Sequence, residues 1–169
     1  MEQTGGTSTE SITKSLSYEI LTTASVTKNM QYDITRTVYS REAAASLPTN
    51  ANDLSTLYTE TEKTNVATDN GVYVDLSGTD YLMHLYRYKH TNDQDLITPT
   101  WNGQVSKAPS EATVYLQIYN FNSGSWETLD SDNTTAVDTD FDLTGTIDTN
   151  QSNYYDADNF VAVRVYQQS

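Results

Sequence analysis

The chain contains no cysteine, two histidines, three prolines, seven glycines and nine basic residues, against 23 acidic ones, for a formal net charge of −14. Each shortage removes a class of chemistry. Without cysteine there is no disulfide scaffold, no thiolate nucleophile and no Cys-ligated zinc. With so few Lys and Arg no basic cluster can neutralise a row of phosphates, so nucleic acid and anionic membranes are poor partners. No stretch approaches the roughly 20 apolar residues of a membrane span, and no membrane insertion is expected. The opening residues MEQTGGTSTES carry neither the basic nor the apolar part of a signal peptide. They read as belonging to a longer exported chain whose targeting segment has been removed. The signatures G-x-S-x-G, H-E-x-x-H, the P-loop and G-x-G-x-x-G do not occur, so neither an enzyme activity nor a cofactor is expected.

What is present is aromatic and strand-forming. Apolar residues make up only 36% of the chain, but 13 Tyr, 3 Phe and 2 Trp supply large contact areas. Abundant Thr, Ser and Asn favour strands joined by turns that side chains stabilise. A chain of 169 residues is long enough for one domain that buries roughly 70% of its unfolded surface. After a polar lead-in at 1–10, expected to be flexible, residues 11–24 (SITKSLSYEILTTA) recur as 25–38 (SVTKNMQYDITRTV), a tandem 14-residue repeat. Ile12/Val26, Leu16/Met30, Tyr18/Tyr32 and Ile20/Ile34 fall at even steps, the spacing of one face of a strand. Two adjacent copies predict neighbouring strands that pair with each other or with something larger.

Residues 41–55 (REAAASLPTNANDLS) break the alternation and are expected as a loop, with one helical turn at Ala43 to Ala45 before Pro48. Short strands are then predicted at 57–66, 72–76, 80–89, 96–105, 112–119, 126–130, 139–147 and 160–167, divided by turn residues such as Asn122-Ser123-Gly124. In 112–119, Val114, Leu116 and Ile118 share one side and Tyr115, Gln117 and Tyr119 the other; in 160–167, Val161, Val163 and Val165 oppose Ala162, Arg164 and Tyr166. The expected fold is all-β, a two-sheet antiparallel β-sandwich, jelly-roll-like, formed as one domain over 11–169 with 11–38 as two N-terminal repeat strands.

The segments TWNGQVS, TVYLQIYNFNSGSWETLDSD, FDLTGTI and NYYDADNFVAVRVYQ together resemble the jelly-roll β-sandwich modules of the galactose-binding, discoidin-like type found in large bacterial surface proteins. The TKSLSYEI-type repeats resemble short β repeats found beside such modules. The resemblance covers about half the chain and implies a fold and a setting. It implies an extracellular or cell-surface module that binds sugars or cell surfaces through loops at one end, or serves as a spacer. No ligand residue is carried over by it.

Candidate residues follow from topology. If successive strands run antiparallel, the connections 90–95, 120–125 and 148–159 emerge at one end and gather His90, Asn92, Asp93, Asn122, Tyr154 and Tyr155, with Asp156 and Asp158 placed to hold a cation such as a structural calcium. Amides, carboxylates and aromatics of this kind suit a polyol; the competing reading is an ordinary polar loop rim. Tyr154 and Tyr155 are adjacent, so in an extended segment one anchors the loop and the other faces solvent. His84, mid-strand, reads as a packed histidine and not as a catalytic base. Asp138, Asp140 and Asp142 imitate the D-x-D-x-D of a calcium loop, but Leu143 and Thr149 stand where Gly and Glu are required. Trp101 and Trp126 read as plugs of the core sooner than as sugar platforms. The expected function is non-catalytic recognition of a glycan or a surface protein. The alternative is a structural, spacer or assembly module of a larger surface protein or filament, with 11–38 pairing to neighbouring modules or to a second copy.

Overall fold

The computed structural model describes residues 38–68, 71–89 and 96–168, all within the compact unit Arg36–Ser169. The lead-in and the repeat strands expected over 11–37 lie outside the described residues. The elements are β1 (Val38–Ala44), β2 (Thr56–Leu57), α1 (Glu60–Asn65), β3 (Tyr81–Lys89), β4 (Thr100–Gly103), β5 (Val114–Asn120), β6 (Ser125–Asp132), β7 (Phe141–Thr144), a 3-10 turn (Gln151–Tyr154) and β8 (Phe160–Gln168). Six strands form one sheet in the order β2-β1-β3-β8-β5-β6, and β4 and β7 form a second. Every pairing is antiparallel. The expected two-sheet antiparallel β-sandwich is therefore present, with sheets of unequal size.

Register explains which side chains are buried. β8 lies between β3 and β5 and pairs Val165 with both His84 and Leu116. Val114, Leu116 and Ile118 of β5 and Val161, Val163 and Val165 of β8 consequently share the inner side, where β4, β7 and the 3-10 turn cover them. The core there joins Val114, Leu116, Leu143 and Val165, and beside it Ile97, Ile118, Tyr154, Tyr155 and Val161. The small sheet can approach because residue 145 is glycine: a Cβ at Gly145 would come within 2.5 Å of the Leu129 Cβ. On the outer side Met83 and Leu85 of β3 pack against Leu54. Leu54 belongs to residues 45–55, a strap that crosses this part of the sheet and is tied by Leu54 N–H to Ser40 Oγ at 2.9 Å.

Three predicted segments differ. Residues 41–44 belong to β1, so the helical turn expected at Ala43 does not form; Ala43 pairs with Leu82 of β3 instead, and ladder bonds outweigh alanine's helix preference. The strand predicted at 57–66 stops after Leu57 and turns into α1. A capping box starts that helix: Thr59 accepts from Glu62 N–H while the Glu62 carboxylate accepts from Thr59 N–H. Residues 72–76 form no ladder, and Val72 and Tyr73 are exposed. Among the described residues no helix is long and apolar enough to cross a membrane.

Leu116 is fully enclosed, so Leu116→Ala should cost about 2–5 kcal/mol in urea unfolding. Salt should act in the opposite direction. With 23 carboxylates against nine cations, self-repulsion opposes the folded state, and raising NaCl from about 0.1 to 1 M shortens the screening length from about 10 to 3 Å. The melting temperature should rise by about 4 °C or more; a flat or falling melting temperature would show that repulsion does not limit stability.

Candidate functional site

Of the expected loop end, the connections 120–125 and 148–159 come together, while 90–95 lies outside the described residues. Lys89 pairs with Phe160, and the β5–β6 turn joins the 3-10 turn through Phe121 N–H donating to Asn153 O at 2.7 Å. His90, Asn92 and Asp93 lie outside the described residues. Asn122 is exposed, and its N–H donates to Asn120 Oδ1 at 3.0 Å. The tyrosine pair departs from the expectation: Tyr154 and Tyr155 are both buried, at 8% and 9% exposure. Strand alternation does not apply to them, because Tyr154 closes a 3-10 turn. Tyr154 Oη donates to Glu127 Oε2 at 2.7 Å, which raises its pKa, and Tyr155 packs on Ile97 and Ile118. Neither ring is available to stack on a ligand.

Of the proposed cation pair, the Asp156 carboxylate is engaged in folding. Asp156 Oδ1 accepts from Asp158 N–H and Phe160 N–H, each at 2.8 Å, and Oδ2 from Arg87 Nη2 at 3.2 Å. A cation on this carboxylate would displace a guanidinium and two amides. Asp158 is exposed, and among the described residues no three His, Cys, Asp or Glu side chains gather as metal ligands would. Asp140 and Asp142 are occupied by Tyr73 Oη and Asn102 Nδ2.

A second cluster lies where β1, β3 and the start of α1 meet. Tyr39, Tyr58 and Tyr86 pack edge to face, with centroids 5.0–6.2 Å apart. Tyr58 Oη is hydrogen-bonded to His84 Nδ1, and Arg41 sits over the Tyr58 ring while pairing with Glu62 at 2.7 Å. Burial, then the Arg41 charge, pushes His84 down to about 4. Burial also pushes Tyr39 up to about 12 and Tyr58 further up. His84 is thus a neutral packing residue at physiological pH.

The outer side of β8, β5 and β6 has a different character. Alternation and register place Tyr115, Gln117 and Tyr119 of β5 beside Arg164 and Tyr166 of β8 and Trp126, Thr128 and Ser131 of β6. No carboxylate stands among them. Glu127, Asp130 and Asp132 of β6 occupy the alternate positions, where Glu127 meets Asn120 and Tyr154, and Asp130 accepts from Thr144 N–H. Two half-buried aromatic groups flank a polar centre. Tyr115 stacks on Tyr166 at 5.1 Å, with Tyr81 6.2 Å beyond. Tyr119 meets Trp126 at 5.1 Å and Phe121 at 4.9 Å. Between them Arg164 donates through Nε and Nη2 to Gln117 Oε1 at 2.9 and 2.7 Å, and Gln117 Nε2 donates to Thr128 Oγ1 at 2.9 Å.

The strap borders this face. Arg164 Nη1 donates to Pro48 O at 2.7 Å, Trp126 Nε1 to Asn50 O at 3.2 Å, and the guanidinium lies 4.2 Å from the Trp126 ring centre. Burial pushes Arg164 down to about 10, so it stays charged at neutral pH. Trp101 is the plug expected of it, packed on Phe141 at 5.3 Å against the inner core. Trp126 also packs on core, against the outer cluster of Leu54, Met83 and Leu85, and borders the outer face. The residues of this face were missed as a site, although the alternation of 112–119 already grouped Tyr115, Gln117 and Tyr119.

Fold and face together define an antiparallel β-sandwich domain in which, among the described residues, one side of the main sheet is partly uncovered. More particularly, the chain belongs to the AF_1625_C family, described as "Uncharacterized protein, C-terminal domain", whose family model matches residues 33–169. No curated protein and no solved structure matches the chain.

The His84 environment makes a pH prediction. The unfolded chain takes up this proton near pH 6.5 and the folded chain only near pH 4, so stability is complete above about 6.5 and is lost progressively down to about 4, by roughly 3 kcal/mol. His84→Gln keeps a partner for Tyr58 without titrating. The difference in unfolding free energy between parent and variant should therefore shift by that amount between pH 7.5 and 4; a constant difference would show that His84 protonates as easily folded as unfolded.

Proposed function

We propose that this domain is a non-catalytic recognition module that binds an uncharged glycan on the outer face of β8, β5 and β6, in an extracellular or cell-surface setting. The observation that supports this reading is that, among the described residues, no carboxylate lies on that face in a chain of net charge −14. Covering a carboxylate with a neutral ligand strips its water without replacing it, at a cost of several kcal/mol. A surface that takes a neutral partner therefore excludes such groups, whereas a merely solvated surface has no reason to. Aromatic rings offer apolar area to the C–H faces of a sugar, and amide and hydroxyl groups fix its orientation. The site thus moves from the loop end, whose tyrosines are buried, to the sheet.

Binding to an array of neutral and acidic glycans tests the reading. Neutral glycans should be retained and acidic ones rejected. Tyr115→Ala should weaken binding by about three- to tenfold, the equivalent of about 0.5–1.5 kcal/mol of ring contact, with the melting temperature nearly unchanged. If no glycan binds, or if Tyr115→Ala binds as the parent does, this face is not a glycan site and the structural-module reading takes its place.

A further inference from the structure

We infer that the ligand of this face is an extended neutral oligosaccharide lying along β5 across two aromatic stations, a conclusion that rests on the glycan reading above. Tyr115 and Tyr119 project from the same side of one strand, four residues apart, which separates them by about 13 Å at the rise of a strand. Each is backed by a ring from a neighbouring strand, Tyr166 at 5.1 Å and Trp126 at 5.1 Å. One sugar ring covers one station; only a chain of several units reaches both.

The segment between the stations is suited to the middle of such a chain. The Gln117 carbonyl oxygen is saturated by two N–H groups of Arg164, and one of its amide hydrogens goes to Thr128. Counting donors, one Gln117 N–H and the Thr128 O–H remain to offer a ligand. Arg164 is 5% exposed and acts here as a positioning residue: it holds the Gln117 carbonyl oxygen on the β8 side, which leaves the amide nitrogen toward Thr128 of β6. These two donors suit sugar hydroxyl and ring oxygens, which accept. Phosphate or uronate chains would bring their charge toward a strongly acidic molecule and are disfavoured at long range. Equatorially linked β-1,4 chains, which are straight and flat, match a straight row of stations along one strand.

Titration calorimetry of the whole chain with glucose, N-acetylglucosamine and their β-1,4-linked tri- and hexasaccharides tests the inference. Affinity should rise at least tenfold from single sugar to hexasaccharide. Tyr115→Ala and Tyr119→Ala should each reduce hexasaccharide affinity to about that of the trisaccharide, and the double variant should abolish binding. Tyr119→Leu, which keeps apolar bulk against Trp126 without a ring, should show the same loss if Tyr119→Ala proves unstable. Gln117→Glu, which adds a carboxylate and leaves the partner for Arg164, should also cost at least tenfold. Equal affinity for single sugar and hexasaccharide, or sensitivity to only one of the two tyrosines, overturns the two-station inference while leaving the glycan reading standing. Binding of neither hexasaccharide also overturns it. The glycan reading then survives only if the array reveals another neutral ligand that Tyr115→Ala weakens.

Discussion

The guanidinium of Arg164 organises the outer half of this molecule. It is a buried cation on β8 whose partners among the described residues are neutral: the Gln117 amide, the Pro48 carbonyl and, face on, the Trp126 ring. A buried charge costs several kcal/mol unless hydrogen bonds replace its water, and here three bonds and an aromatic face do so. The consequence is mechanical. One side chain joins the centre of the sheet to its β6 edge and holds the strap, which in turn covers Met83 and Leu85. The same contacts orient the Gln117 amide, so the stability of the strap and the character of the open face have a common origin.

Around that centre the charges are segregated. Acidic side chains serve the rim and the turns: Asp156 organises the turn into β8, Asp132 the turn after β6 through Thr134 and Thr135, and Glu62 the start of α1. Each accepts backbone N–H or hydroxyl groups that would otherwise lack partners. Arg41 pairs with Glu62 and lies over Tyr58, and Arg87 pairs with Asp53 and Asp156 and lies over Phe160. This division leaves the β8–β5–β6 face, among the described residues, without a carboxylate in an otherwise acidic protein.

Much of the architecture was legible in the chain because alternation is a local property. Val114-Tyr115-Leu116-Gln117-Ile118-Tyr119 and Val161 to Tyr166 announce half-buried strands whatever lies beside them, and both sit at the centre of the sheet. Segments whose state depends on a partner were read less well. Ala43 and Ala44 are strand because β3 is alongside. At Thr59 and Glu62 a capping box starts a helix where a strand is expected over 57–66. Residues 72–76 alternate well and yet form no ladder, since alternation states what a strand would bury and not whether an edge is available.

The candidate site divides in the same way. The chain by itself determined that Tyr115, Gln117 and Tyr119 share a side, that cysteine and basic-cluster chemistry are absent, and that the loops after β5 and before β8 meet at one end, all consequences of composition and a period of two. Only the tertiary structure decided that Tyr154 and Tyr155 both turn inward, that Asp156 is taken by Arg87, and that Arg164 joins Gln117 across the sheet while Trp126 closes over it. Those outcomes depend on register between strands nearly 50 residues apart and on a strap from a third segment. No local pattern carries that information, because it arises only when the chain has closed on itself and each buried group has found its partner.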